Sequence, residues 1–160
     1  MITTPQLAEA FGRNVSLVKT QAAGLSHAES LRQPPFRGNC LNWVLGHLAE
    51  NRDIILQALG AEPVLGAAAD RYARESDPIT CDGPGVLPLE ELLVVLTRSQ
   101  EALAAALSRT TEEDLAKEIQ RGQRTMPLSE RIFFLYFHET YHVGQTELLR
   151  QLAGTHDKVI

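Results

Sequence analysis

Two histidines four residues apart are the residues of this chain best suited to chemistry. His138 and His142 lie in a stretch with helical periodicity, which places both imidazoles on one helix face, one turn apart. The flanking residues are apolar, so this face is predicted to be buried, where imidazole nitrogens need a partner. His47 lies in a second apolar stretch, Trp43–Leu48. Together the three histidines predict a site for one divalent metal ion, since imidazole suits zinc, nickel, copper or iron.

The same residues offer a competing interpretation. His138-Glu139-Thr140-Tyr141-His142 matches the H-E-x-x-H pattern of zinc proteases, in which the glutamate is the general base. The extended form of that pattern requires glycine and histidine where this chain has Gln145 and Leu148. The sequence also lacks a candidate edge strand that could align an extended peptide. A zinc hydrolase is therefore kept as the less favoured alternative.

Four polar residues near the histidines are further candidates. Glu50 and Glu139 are the candidate catalytic residues, although Glu139 lies about 100° around the helix from His138 and is predicted to face solvent or a partner subunit. Asn51 and Gln145, each about one turn beyond a histidine, could orient a ligand or a metal-bound water. Glu50 and Asn51 could equally be solvated residues at the rim. Three protein ligands would leave an open coordination position, which is typical of catalytic sites.

Four long amphipathic segments must position these side chains. Apolar residues recur at helical spacing over about residues 4–31, 39–60, 88–108 and 127–153, and strand patterns are nearly absent. This predicts an all-α, four-helix bundle, in which metal sites are built from facing helices. The connection over residues 61–87 is long for such a fold and rich in proline and glycine. We expect it to cover the mouth of the site.

Composition restricts the class of protein. A chain of 160 residues with 44% hydrophobic and 22% charged residues predicts one globular domain over residues 1–160. The formal net charge of -5, with scattered basic residues, disfavours a nucleic-acid partner. No segment has the pattern of a signal peptide or a membrane span. Two cysteines do not form a disulfide framework, so a cytoplasmic location is expected.

Three motifs carry a resemblance to a known family. The stretches Asn42–Glu50 and Met126–Gln145 are similar to the second-helix and last-helix signatures of the DinB-like superfamily, and Thr111–Leu115 fits the spacer before the last helix. The resemblance covers the chain almost end to end. It implies a four-helix metal-binding bundle, commonly dimeric, with one histidine from the second helix and two from the fourth. His47, His138 and His142 fill all three positions.

The resemblance also implies a class of reaction. Characterised relatives include metal-dependent transferases that use low-molecular-weight thiols such as bacillithiol or mycothiol. We therefore expect a homodimer that binds one divalent ion, zinc or nickel before manganese or iron, and activates a bacillithiol-type thiol toward a small electrophile. The alternative is a non-catalytic metal-binding module in stress response. Solvent access to the metal would discriminate between the two.

Overall fold

The computed structural model of the chain describes residues 3–157 and Val159. These residues form helices α1 Thr4–Ala22, α2 His27–Ser30, α3 Leu41–Ala58, α4 Ala69–Tyr72, α5 Leu89–Arg109, α6 Glu112–Ala116 and α7 Leu128–Leu152, and strands β1 Glu118–Arg121 and β2 Arg124–Pro127. The bounds of α3, α5 and α7 lie within two residues of the predicted second, third and fourth segments. The prediction of an all-α four-helix bundle is confirmed.

The four long helices pack as a bundle with a defined order around its axis. Helices α1 and α3 each pack against both α5 and α7, so α1 and α3 occupy opposite corners. The two histidine-bearing helices, α3 and α7, are therefore neighbours. Within the described residues, no helix is long and apolar enough to cross a membrane.

The interior of the bundle consists of two apolar clusters separated by a polar layer. One cluster contains Trp43 and Val143, and the other contains Phe11 and Leu135. Between them, each long helix contributes one polar side chain: Asn14 from α1, Arg52 from α3, Gln100 from α5 and Glu139 from α7. We call these four residues the polar layer. Its hydrogen bonds join all four helices at mid-height, so it fixes how they are aligned along the bundle axis.

The first predicted helix, over residues 4–31, is wrong in its second half. Helix α1 ends at Ala22, and Gly24 adopts a left-handed backbone conformation (φ 78°) that does not continue a helix. Ser26 then begins the separate helix α2. The Ser26 hydroxyl accepts from the backbone N–H of Glu29, and the Glu29 carboxylate accepts from the N–H of Ser26, which is a capping box.

A short β-hairpin precedes the last helix, in a part of the sequence that shows no strand pattern. Strands β1 and β2 pair antiparallel, with Arg121 opposite Arg124 and the turn at Gly122, whose φ is 60°. These strands are four residues each and mostly exposed, so they lack the apolar alternation that reveals a half-buried strand. The hairpin occupies the segment between α6 and α7.

The long connection over residues 61–87 is hydrogen-bonded to α3 near its start and again further along. The Asp53 carboxylate accepts hydrogen bonds of 2.7, 3.0 and 3.0 Å from the backbone N–H groups of residues 64–66. Further along, the fully buried Tyr72 donates from its hydroxyl to Asn42 and accepts from the N–H of Leu87. These contacts hold the connection against the face of α3 that carries His47.

Candidate metal centre

The structure brings the three predicted histidines together. His47 projects from α3 and is 4% exposed, while His138 and His142 project from α7 toward it. One ring nitrogen of each lies within 4.8 Å of the others. The rings stand nearly perpendicular to one another, with interplanar angles of 77°, 85° and 75°. Among the described residues, this is the one group of three or more histidine, cysteine and acidic side chains that lie close enough together to share a metal ion.

The orientation of His47 is fixed by the connection. Its Nδ1 lies 2.9 Å from the carbonyl oxygen of Tyr72, so Nδ1 carries the proton and donates. Tyr72 can lie this close because Gly46 has no side chain; a Cβ at this position would overlap the Tyr72 ring. Trp43 stacks on the imidazole of His47, with ring centroids 4.6 Å apart.

Asn51 and Glu50 flank His47 on the next turn of α3. The Asn51 amide donates 2.8 Å to the carbonyl oxygen of His47 and 3.0 Å to Oε2 of Glu50. Its two N–H groups are thereby used, although the amide nitrogen also lies 3.2 Å from Nε2 of His47. The Nε2 lone pair of His47 is therefore left for another partner.

On α7, Gln145 fixes His142 in the same way. The Nδ1 of His142 donates 2.7 Å to the side-chain oxygen of Gln145, which leaves its Nε2 as an acceptor. This Nε2 lies 3.1 Å from Nε2 of His138. Two nitrogens bound to one tetrahedral zinc ion at about 2.05 Å would be about 3.3 Å apart, so the spacing fits a shared ion. The Nδ1 of His138 is buried and, among the described residues, has no hydrogen-bond partner.

The electrostatic environment keeps the three imidazoles neutral. Burial lowers the pKa of His47 to about 4. Burial, and then the neighbouring His142 and His47, lower the pKa of His138 to about 4. Burial also lowers the pKa of His142. Neutral imidazole is the form that binds metal, so the chemistry of this donor set fits a divalent ion.

Glu50 is the carboxyl group that faces the histidines. Its Oε2 lies 3.5 Å from Nδ1 of His47, and its side chain lines the same cavity as the three rings. Burial, together with the nearby Asp53, raises the pKa of Glu50 to about 7. Glu50 is therefore able to accept or release a proton near neutral pH.

Glu139 does not face the histidines, and its predicted exposure to solvent or a partner subunit is wrong. It is 2% exposed and forms a bidentate ion pair with the fully buried Arg52, at 2.7 Å for both bonds. Asn14 donates to the same carboxylate at 3.1 Å. Glu139 is thus part of the polar layer, and the general-base role that H-E-x-x-H assigns to it has no geometric basis here.

Two cavities meet at the histidine cluster. One of about 430 Å³ contains all three histidines and Glu50, and its rim carries Arg74, Arg121, Arg131, Phe134 and Tyr141. The other, of about 170 Å³, is lined by Phe36, Trp43 and Leu148 and also by His142 and Gln145. A third cavity of about 470 Å³, near Leu7 and Phe133, is lined by none of the three histidines. His142 forms part of the wall of both cavities at the site.

Comparison of the sequence with models of known protein families identifies the family of this chain. The model of the DinB superfamily matches residues 11–146, which is most of the chain. The chain belongs to the DinB superfamily. This membership agrees with the resemblance of its second and last long helices to the signatures of that family.

Solved structures show the same fold as this DinB superfamily member. A conserved protein from Enterococcus faecalis is 20% identical, with a TM-score of 0.77 over 97% of this chain and 99% of that one. A mycothiol-dependent maleylpyruvate isomerase is 16% identical, with a TM-score of 0.61, and a variant of it is 18% identical, with a TM-score of 0.62. Both isomerase structures match over 90% of this chain and 62% of theirs. No curated protein sequence matches the chain significantly.

Two contributors to the site were missed by sequence reasoning. Tyr72 acts through its backbone carbonyl, which every residue possesses, so its type gives no signal. Arg131 precedes His138 by seven residues, which is two helical turns and therefore nearly the same face of α7. That spacing could have placed its guanidinium beside the histidines.

Proposed function

We propose that this DinB superfamily protein binds one divalent metal ion through His47, His138 and His142 and transfers a low-molecular-weight thiol to a small electrophile. The observation that carries the proposal is the convergence of three neutral imidazoles in one cavity, with His142 also lining a second cavity. A thiol in one cavity and an electrophile in the other would meet beside His142. Zinc or nickel suits three imidazoles best, with manganese or iron as alternatives.

Each residue of the site has a defined task in this proposal. The Tyr72 carbonyl and Gln145 orient the imidazoles of His47 and His142, so that Nε2 of each faces the cluster. A divalent ion held there would lower the pKa of a bound thiol. Glu50 accepts the thiol proton at its carboxylate, and the resulting thiolate sulfur forms a bond to the electrophilic carbon while the leaving group departs with its electron pair.

The structural neighbours support a thiol as the partner. The mycothiol-dependent maleylpyruvate isomerase shares the fold, and at 16% sequence identity the similarity is limited to the fold. A bacillithiol-type thiol is our more specific proposal for this chain. We also propose a cytoplasmic location, since Cys40 and Cys81 are both free thiols.

Metal content per chain tests the central claim. Untagged protein, purified without a metal column, should contain about one equivalent of zinc or nickel by mass spectrometry. His47→Ala, His138→Ala and His142→Ala should each lose that metal, whereas the matched control His156→Ala, an exposed residue outside the cluster, should retain it. Folded wild type that takes up no zinc, nickel, manganese or iron would refute the site.

Thiol consumption then separates the enzyme from the non-catalytic alternative. Loaded wild type should consume a thiol in the presence of an epoxide or chloroarene electrophile, and Glu50→Gln should slow this reaction while retaining the metal. A protein that loads metal fully but consumes no thiol in a broad electrophile screen would favour a non-catalytic metal-binding module. The two measurements use the same purified samples.

We further propose that the protein is a homodimer formed through α7. This helix carries an exposed apolar stripe, with Phe133 53%, Phe137 61%, Tyr141 61% and Leu148 57% exposed. An apolar face of this length on one helix is typical of an interface between subunits. Light scattering should give twice the chain mass for wild type and the single-chain mass for Phe137→Glu. A monomeric wild type at micromolar concentration would contradict the proposal.

A further inference from the structure

The larger cavity at the histidine cluster has a strongly cationic rim. Arg74 reaches it from the connection, Arg121 from the end of β1 and Arg131 from the second turn of α7. Glu50 is the only carboxylic acid among the described residues that line this cavity. The chain as a whole has a formal net charge of -5, so this excess of positive charge runs against the overall charge of the protein.

The arginines of the rim form no direct ion pair within the described residues, although Glu50 lines the same cavity and interacts with Arg131 over a longer distance. Among the described residues, no carboxylate oxygen lies within 4.0 Å of the guanidinium groups of Arg74, Arg121 or Arg131. The Nη1 of Arg131 is buried and makes no hydrogen bond to any described residue. A buried donor on a charged group that lacks an acceptor is costly, so this position favours an incoming acceptor.

Phe134 holds two of these cations in place. The guanidinium carbons of Arg121 and Arg131 lie 5.3 and 5.8 Å from the centre of its ring. Burial, and then the neighbouring Arg121, lower the pKa of Arg131, whereas the carboxyl group of Glu50 raises it. Two guanidinium groups that are stacked near one ring, with free donors, form a preorganised receptor for an anion.

We propose that Arg131, with Arg121 and Arg74, forms a subsite for the carboxylate or phosphate group of a small substrate whose reactive end reaches the histidine cluster. We place the reactive end of this substrate at the histidines because the three arginines line the same cavity. The assignment of the subsite to a substrate rests on the function proposed above. A planar guanidinium binds both groups through paired N–H bonds, so the chemistry shared by the two candidates is that of a small oxyanion. The other cavity, between Phe36 and Trp43, is lined by one arginine, Arg37, in place of three and would take the less charged partner.

Anion binding to metal-free protein tests the proposal without the reaction. Protein treated with a chelator is titrated calorimetrically, at low ionic strength, with phosphate, succinate, acetate and the uncharged succinamide. Wild type should bind phosphate or a carboxylate saturably and should not bind succinamide. Arg131→Gln should weaken that binding roughly tenfold or more, which is the loss expected for a charge-assisted hydrogen bond, and Arg131→Lys should be intermediate. The preferred anion identifies the substrate group as phosphate or carboxylate.

Arg98→Gln is the matched control, because Arg98 is an exposed arginine of α5 that does not line the cavity. It should bind the anions as wild type does. Equal weakening in Arg98→Gln and Arg131→Gln would overturn the subsite in favour of diffuse charge, and so would the absence of saturable binding to wild type. Metal content is measured on the same preparations before the chelator is added. Metal-loading protein without Arg131-dependent binding refutes only the subsite, whereas Arg131-dependent binding in a protein that loads no metal refutes only the proposed function.

Discussion

Breaking the Arg52–Glu139 ion pair should destabilise the bundle far more than a typical substitution. In Glu139→Leu, the guanidinium of Arg52 stays at 0% exposure and loses two bonds of 2.7 Å, keeping only Gln100 and the carbonyl of Phe11 as acceptors. Removing one partner of a buried pair costs about 3–5 kcal/mol, against a total stability of roughly 5–15 kcal/mol. For a chain of this size the melting temperature should fall by about 6–20 °C. Arg52→Met should cost a similar amount, because it leaves the Glu139 carboxylate buried with Asn14 as its remaining donor.

The double variant Arg52→Met/Glu139→Leu is the decisive measurement. It removes both charges, and the polar groups left behind each keep one bond: Asn14 to Thr140, and Gln100 to the carbonyl of Ala8. Apolar replacement of a whole buried pair is often neutral, so the double variant should be no less stable than either single variant. Urea unfolding of all four proteins gives the coupling free energy. If the two single losses simply add in the double variant, the account of the polar layer given above is refuted.

Three further substitutions test the supports of the site. Gly46→Ala should lower the free energy of unfolding by about 1–3 kcal/mol or more and reduce metal content, because the new Cβ displaces Tyr72. The control Gly144→Ala, whose Cβ meets no atom within 4 Å, should be neutral or stabilising. Urea unfolding and metal analysis of both variants measure the difference. Gln145→Leu should weaken metal binding about 10–100-fold in competition with a chromogenic chelator, while Gln145→Glu, which keeps an acceptor oxygen, should bind nearly as wild type does. Asp53→Asn should cost about 1–3 kcal/mol in urea unfolding, because an amide has one acceptor oxygen where the carboxylate has two. If that oxygen faces the N–H groups of residues 65 and 66, the amide NH2 group faces the N–H of Val64, which loses its acceptor. An unchanged midpoint would mean that the connection is held by its apolar contacts alone.

The long helices and the grouping of the histidines could be predicted because both depend on local periodicity. A spacing of four places His138 and His142 on one face of any helix, and apolar neighbours place His47 on a buried face of another. Two helices with buried faces in a small bundle have few ways to pack. The structure accordingly joins the three rings as expected.

The errors have other origins, one long-range and two local. Glu139 is directed inward by Arg52, which lies 87 positions away, and neither residue alone indicates a buried pair. The capping box at Ser26 is a local signal that outweighs the helical spacing running through it. The hairpin after Lys117 is too short and too exposed to leave a pattern in the sequence.

The origin of the charged rim has a consequence for how such a protein can evolve. The histidines stand on two long helices whose alignment the polar layer secures, whereas Arg74 and Arg121 are supplied by the connection and the hairpin. Arg74 and Arg121 are both exposed, so substitutions at these two positions disturb few buried contacts of the bundle, whereas the buried Tyr72 of the connection supports His47. Selection can therefore exchange the charges that face a ligand while the donor atoms beneath them stay fixed. The metal-binding histidines and the charges that select a ligand can therefore change independently of each other.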